Sequence, residues 1–138
     1  MKRLSRGAIA SLVALLGVAA LSTTAFAHKQ SYSSTITLSL AKVPKADVAS
    51  GQVGSSRGSC REKRTVTLFE DKDPAVGGDA VQIGTVSSTD TGAWSIPIQS
   101  GIKAGRVYYA QVKTRRVVNN RKHKHICKFK RSADVLGT

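Results

Sequence analysis

The sequence predicts an all-β protein, an antiparallel two-sheet β-sandwich of about seven strands that follows a cleaved signal peptide. Short segments rich in β-branched residues alternate between apolar and polar side chains, and turn signals separate them roughly every 8–12 residues. No stretch after residue 34 has the apolar periodicity of an amphipathic helix. A turn at residues 89–94 leads directly into a strand whose apolar face is Trp94, Ile96 and Ile98. These three observations favour the β class.

The first 27 residues have the organisation of a secretory signal peptide. Lys2, Arg3 and Arg6 form a positive start, residues 8–21 an apolar run, and residues 25–27 an Ala-Phe-Ala cleavage site. The run is shorter than the roughly 20 residues that span a bilayer, which disfavours an uncleaved anchor. We expect a secreted, extracytoplasmic protein with a signal peptide at 1–27, a flexible lead-in at 28–34 and a single β-sandwich domain at 35–138.

The strands of this domain follow in order from alternation and from the turn residues between them. Pro44, the acidic Gly-rich loop at 70–79, the glycines at 101 and 105 and the Asn pair at 119–120 mark the connections. The predicted strands are 35–40, 51–54, 64–69, 81–86, 94–98, 106–114 and 125–131, with 133–136 pairing as a last short strand. Their predicted inward side chains are Ile36, Leu38, Leu40, Val66, Leu68, Tyr108, Ala110, Val112, Cys127 and Phe129.

Cys60 and Cys127 are the only cysteines in the chain. In an exported protein an even pair indicates one disulfide. Closing so long a loop would stabilise the fold by roughly 4 kcal/mol in the chain-entropy model. A redox or metal-binding pair is the alternative, but there is no C-x-x-C motif to lower a thiol pKa.

Several motifs resemble those of secreted bacterial transthyretin-like domains, also called carboxypeptidase-regulatory-like domains. They are residues 51–55 (Gly-Gln-Val-Gly-Ser), Cys60 with 64–68 (Arg-Thr-Val-Thr-Leu), 83–84 (Ile-Gly), 89–94 (Thr-Asp-Thr-Gly-Ala-Trp) and 105–110 (Gly-Arg-Val-Tyr-Tyr-Ala). The similarity extends over about residues 50–135. The resemblance implies a seven-stranded sandwich without catalytic residues of its own, in a module that stabilises, spaces or binds.

The most unusual segment is 113–131, which is strongly basic and contains no acid. Without the three cations of the leader, the chain contains 19 Lys and Arg and 8 Asp and Glu, which gives a net charge of +11. One hypothesis is a binding stripe for an anionic cell-wall polymer, an acidic glycan or a membrane surface, in which Lys122, Lys124, Lys128 and Lys130 flank Ile126. The alternative is that these lysines protect a strand edge against aggregation. The candidate residues are Lys113, Arg115, Arg116, Arg121, Lys122, Lys124, Lys128, Lys130 and Arg131.

Export and the absence of an aromatic stacking ladder argue against nucleic acid as the partner. A metal site is a further alternative, because a mature N-terminus at His28 offers both an amine and an imidazole to Cu(II). His123 and His125 are the other histidines available to such a site. The acids Glu70, Asp71, Asp73 and Asp79 surround a Gly-rich turn, but their spacing does not match an EF-hand calcium loop.

No catalytic constellation is recognisable. There is no G-x-S-x-G motif, and no histidine lies in a nucleophile setting. We therefore expect no enzymatic activity and no cofactor. The function that the sequence favours is an exported structural or interaction module that binds anionic envelope or extracellular polymers through a basic face. A secreted copper-binding protein using His28 is the alternative.

Overall fold

A computed structural model describes residues 28–120 and 123–138, so the predicted signal peptide at 1–27 lies outside the described residues. The protein is all-β, with three sheets and one short 3₁₀ turn at Gly58–Cys60. The strands are β1 His28–Tyr32, β2 Thr35–Ile36, β3 Ser39–Ala41, β4 Asp47–Gly54, β5 Thr65–Asp71, β6 Ala80–Ser87, β7 Ala93–Ile98, β8 Val107–Val112, β9 Arg115–Asn120, β10 His123–Cys127, β11 Lys130–Arg131 and β12 Val135–Leu136.

Two of the sheets are larger and antiparallel. One has the order β11-β8-β5-β6, with β12 also paired to β8; in the other, β4 pairs with β2, β3 and β7. β2 and β3 follow the same side of β4, bridged by the Thr37 amide donating to the Gln52 carbonyl at 3.0 Å. β11 and β12 likewise share one side of β8, bridged by the Ser132 amide and the Ala110 carbonyl. These two sheets therefore contain seven strand positions, but the predicted strand at 125–131 is not one of them, because its residues divide between β10 of the third sheet and β11.

The hydrophobic core draws side chains from both larger sheets. Trp94, Ile96 and Ile98 are buried on one face of β7, as the alternation predicted. They belong to one cluster with side chains of β2, β4, β5 and β8, namely Ile36, Ala49, Val53, Val66, Leu68, Tyr108, Ala110 and Val112. Gly92 has φ = 94°, which permits the tight turn before β7. Within this turn the amide of Ala93 donates a hydrogen bond to the hydroxyl of Thr89.

The third sheet, with the order β1-β10-β9, differs from the sequence prediction. The predicted lead-in at 28–34 contains β1, which pairs with β10 in parallel. The residues after 114 form β9 instead of a connection, and β9 pairs with β10 in an antiparallel hairpin. Phe129 was predicted to face inward but is 50% exposed, because β10 ends at Cys127 and the alternation does not continue through Lys128.

Candidate polyanion-binding surface

The third sheet presents one face to solvent. Residues paired across neighbouring strands share a face, and successive residues alternate between faces. One row on this face is Lys29, Lys124 and Val118, and the next row is Ser31, Ile126 and Arg116. All of these side chains are exposed except that of Ile126, which is half-buried. We call these six residues the basic sheet face.

The opposite face of the same sheet turns toward the body of the protein. His125 and Cys127 are buried there, and Tyr32, Val117 and Arg115 are half-buried. The rings of Tyr32 and His125 meet edge to face with centroids 5.3 Å apart. The two faces of the sheet therefore have separate roles: one packs, and the other displays three cations. The strands β1, β9 and β10 carry no acidic residue.

The predicted cations divide between different surfaces. Arg116 and Lys124 lie on the basic sheet face, and Lys128 is exposed directly after β10. Lys113, Lys130 and Arg131 are exposed at the end of β8 and on β11, in a different sheet. Arg121 and Lys122 lie outside the described residues. Lys29 was not a predicted site residue, although it lies opposite Lys124 in the parallel register.

Edge protection explains only some of these cations. β10 is the central strand of its sheet, flanked by β1 and β9, so Lys124 does not guard an open edge. β11 is an edge strand, and its Lys130 and Arg131 fit the protective role. Arg131 is also engaged: its guanidinium lies 2.6 Å from the Asp134 carboxylate and 3.9 Å from the centroid of the Tyr109 ring. Edge protection therefore fits the cations of β11 and does not account for Lys124.

A buried arginine holds the base of the β9–β10 hairpin. Arg64 is fully buried, and its Nη2 donates to the carbonyls of Lys113 (2.7 Å) and Lys128 (3.1 Å), the residues just outside the two ends of the hairpin. Its Nη1 donates to the Cys60 carbonyl (2.7 Å) and to the Ser34 hydroxyl (3.0 Å). One planar guanidinium thus joins four segments that are distant in sequence.

No carboxylate pairs with Arg64 among these contacts, and its Nε has no hydrogen-bond partner. Burial, and secondarily the positive charge of Arg115, lower the pKa of the Arg64 guanidinium from its usual value. An arginine nevertheless remains protonated under ordinary conditions. The acceptors around it are carbonyl and hydroxyl dipoles, so their hydrogen bonds must offset the cost of burying the charge.

The disulfide and Arg115 brace the same junction. Cys60 and Cys127 are bonded, as predicted, with their Cα atoms 5.3 Å apart. The bond ties the end of β10 to the 3₁₀ turn before β5. Arg115 is a structural residue rather than a free cation, because its Nη1 donates to the carbonyls of Glu62 (2.7 Å) and Lys63 (3.2 Å). The basic sheet face therefore stands on a firmly attached sheet.

The histidines partly converge in the parallel pair. The backbone of His28 lies opposite that of His123, and His125 follows two residues later in β10. The Nδ1 atom of His125 is buried without a hydrogen-bond partner. Among the side chains that the structure describes, however, no three His, Cys, Asp or Glu residues are grouped to hold a metal ion.

Acidic side chains of the loop at 70–79 accept hydrogen bonds from backbone amides of the same loop. Asp71 and Asp73 accept hydrogen bonds from the amides of Asp73 and Ala75. Glu70 is buried at the end of β5, and its Oε1 lies 3.6 Å from Lys103 Nζ and 3.8 Å from Arg106 Nε, beyond hydrogen-bond distance. The carboxylate of Glu70 is therefore balanced by cations of the chain itself.

An open groove of about 430 Å³ lies between β3 and β12, in a different part of the molecule. Five of its eight lining residues are apolar, and the other three side chains are two hydroxyls and one lysine: Leu38, Ser39, Leu40, Lys42, Ile102, Val135, Leu136 and Thr138. This lining contains no histidine and no acid.

No family model, curated protein or solved structure matches this chain. None of the elements described is a helix long and apolar enough to cross a lipid bilayer. The disulfide is compatible with an extracytoplasmic location.

Proposed function

We propose that this chain is an exported, non-enzymatic β-sandwich protein that binds anionic polymers or surfaces outside the cytoplasm through the basic sheet face. The observation that carries the proposal is the juxtaposition of Lys29, Arg116 and Lys124 on one exposed face of a sheet whose strands contain no acid. The signal-like leader and the disulfide support export.

The arrangement of these cations favours a ligand rather than a purely structural role. Lys29 and Lys124 lie directly opposite each other, and like charges in that position destabilise a strand pair. A bound anion would relieve this repulsion. Lys29 and Lys124 lie opposite each other on strands about 5 Å apart, which is within one Debye length, about 8 Å at physiological ionic strength, so they act together. Arg116 lies one row further along, on the other side of β10.

The finer fold is part of the same proposal. The shared core between the two larger sheets and their seven strand positions support a two-sheet sandwich. The motif resemblance supports a transthyretin-like module. Such a module has no catalytic residues of its own, and the proposal of a non-enzymatic role follows from this resemblance.

A matched pair of triple variants tests the binding proposal. Lys29→Gln, Arg116→Gln and Lys124→Gln together remove the charge of the basic sheet face. The control removes three exposed lysines in other connections, Lys42→Gln, Lys45→Gln and Lys72→Gln. Both variants lose the same net charge. Affinity for immobilised dextran sulfate, measured over a series of salt concentrations, compares them.

We expect the face variant to lose about tenfold or more in affinity at physiological ionic strength and the control less than about threefold, because at the short Debye length of that salt concentration only clustered charges act together. Binding by the unmodified protein should fall steeply with salt. Equal losses in the two variants would mean that net charge alone attracts the polymer, and no binding by the unmodified protein would refute the proposal outright.

The pairing of His28 with His123 supports a second candidate function, Cu(II) binding at a mature N-terminus. With cleavage before His28, the α-amine would stand at the start of β1 opposite His123, and His125 would lie on the same side of the sheet by alternation. An amine together with imidazoles is a donor set that suits Cu(II).

Calorimetric titration with Cu(II) tests this candidate on protein that begins at His28. The control is the same protein with one glycine added before His28, which moves the amine away from the strand. Tight binding that the added glycine abolishes would support the site, whereas equal binding or none would refute it.

A further inference from the structure

We infer that the partner of the basic sheet face is an anionic lipid bilayer, into whose headgroup region Val118 and Ile126 insert. This inference rests on the proposed function, because it assigns a ligand to the same face. It goes beyond the proposed function because binding to a bilayer requires apolar side chains on the face in addition to its charges.

The first observation is the alternation of apolar and cationic side chains within the face. Each row contains one apolar residue, Val118 beside Lys124 and Ile126 beside Arg116. Val118 is 60% exposed although it lies in a regular strand. A sulfated or phosphorylated polymer offers charge and hydroxyl groups, and a valine side chain gains little from either. A bilayer surface offers anions and, just below them, acyl chains.

The second observation lies where β10 ends. Phe129 is 50% exposed, with exposed lysines on both sides of it at positions 128 and 130. An exposed aromatic ring between cations is typical of proteins that lie on membranes, where lysine stems extend toward the headgroups and the ring enters the interface. The described surface thus carries exposed apolar groups together with cations both on the basic sheet face and at residues 128–130.

The charge of the face suits an anionic bilayer. Each Lys or Arg near such a surface contributes about fivefold to partitioning, so Lys29, Arg116 and Lys124 together contribute about 100-fold. Burial of the exposed side chain of Val118 would contribute about a further fivefold. The sheet is held rigidly by Arg64 and the disulfide, so little conformational freedom is lost on binding.

The experiment compares vesicles of phosphatidylcholine with vesicles that contain about one-third phosphatidylglycerol. Val118→Ser reduces the apolar surface and keeps every charge; Val43→Ser is its control, since Val43 is also exposed, at 43%, but lies in the connection after β3. We expect Val118→Ser to lower partitioning onto the anionic vesicles about fivefold, to leave binding to dextran sulfate unchanged, and Val43→Ser to change neither.

A fluorescent variant reports insertion directly. Trp94 is the only tryptophan and is buried, so its emission should be insensitive to vesicles. We expect the emission of Val118→Trp to shift to shorter wavelength on anionic vesicles and that of Val43→Trp to remain constant. Dextran sulfate binding with no vesicle binding, or vesicle binding with no shift, would overturn the inference and leave the proposed function standing. Loss of binding to both probes on neutralising the face, together with the shift, would support it.

Discussion

Replacing the buried guanidinium of Arg64 should loosen the junction between the body and the third sheet. Arg64→Lys retains a positive charge, but one ammonium cannot reproduce a planar fork that reaches acceptors on four segments. At least two of these buried or part-buried acceptors would then lose their donor. Each such loss costs about 1–3 kcal/mol, so we expect Arg64→Lys to lower the free energy of unfolding by about 3 kcal/mol.

Urea denaturation followed by Trp94 fluorescence measures this loss, and Arg61→Lys is the matched control because Arg61 is exposed. Amide hydrogen exchange adds spatial detail, since the amides of β9 and β10 should exchange faster than those of β4 and β5. A loss below about 1 kcal/mol, or faster exchange spread evenly over the chain, would refute the reasoning that Arg64 clamps the hairpin.

Three further stability predictions use the same denaturation measurement. Trp94→Ala should lower the free energy of unfolding by about 3–5 kcal/mol because a large buried side chain is removed. Trp94→Phe should lower it clearly less, since the indole Nε1 makes no hydrogen bond that would be lost. Similar losses in the two variants would contradict this prediction. Replacing Cys60 and Cys127 together by alanine should cost about 4 kcal/mol through the 67-residue loop, and a loss under about 1 kcal/mol would argue against that contribution. Gly92→Ala should cost about 1–2 kcal/mol or more because φ is 94°, and an unchanged midpoint would show that the turn adapts.

The core strands were predictable because local alternation determines which residues face inward. The face containing Trp94, Ile96 and Ile98 followed from the sequence, and so did the inward Val66 and Leu68. Arg64 has the same parity as those two residues, so the alternation also placed it inward. The signal was present, but an unpaired charge is expected at the surface, and three of the four acceptors that make its burial possible come from segments distant in sequence.

The third sheet could not be predicted from local pattern. The pairing of β1 with β10 joins residues about 95 positions apart, and neither strand has the long apolar alternation that indicates a buried strand. The sequence around Lys29 therefore did not indicate that this residue lies beside Lys124. Phe129 was wrongly predicted to face inward, because the alternation of inward and outward residues was continued past Cys127, where β10 ends.

Mapping of backbone amide shifts by NMR tests the central claim most directly. A short, soluble dextran sulfate fragment is added to the isotope-labelled mature protein at low salt. We predict that the largest shift changes fall within residues 29–31, 116–118 and 124–126, the strand segments that carry the basic sheet face, and that added salt reverses them. Changes centred on Lys130 and Arg131 of β11, or spread over all exposed lysines, would contradict the assignment of the binding surface.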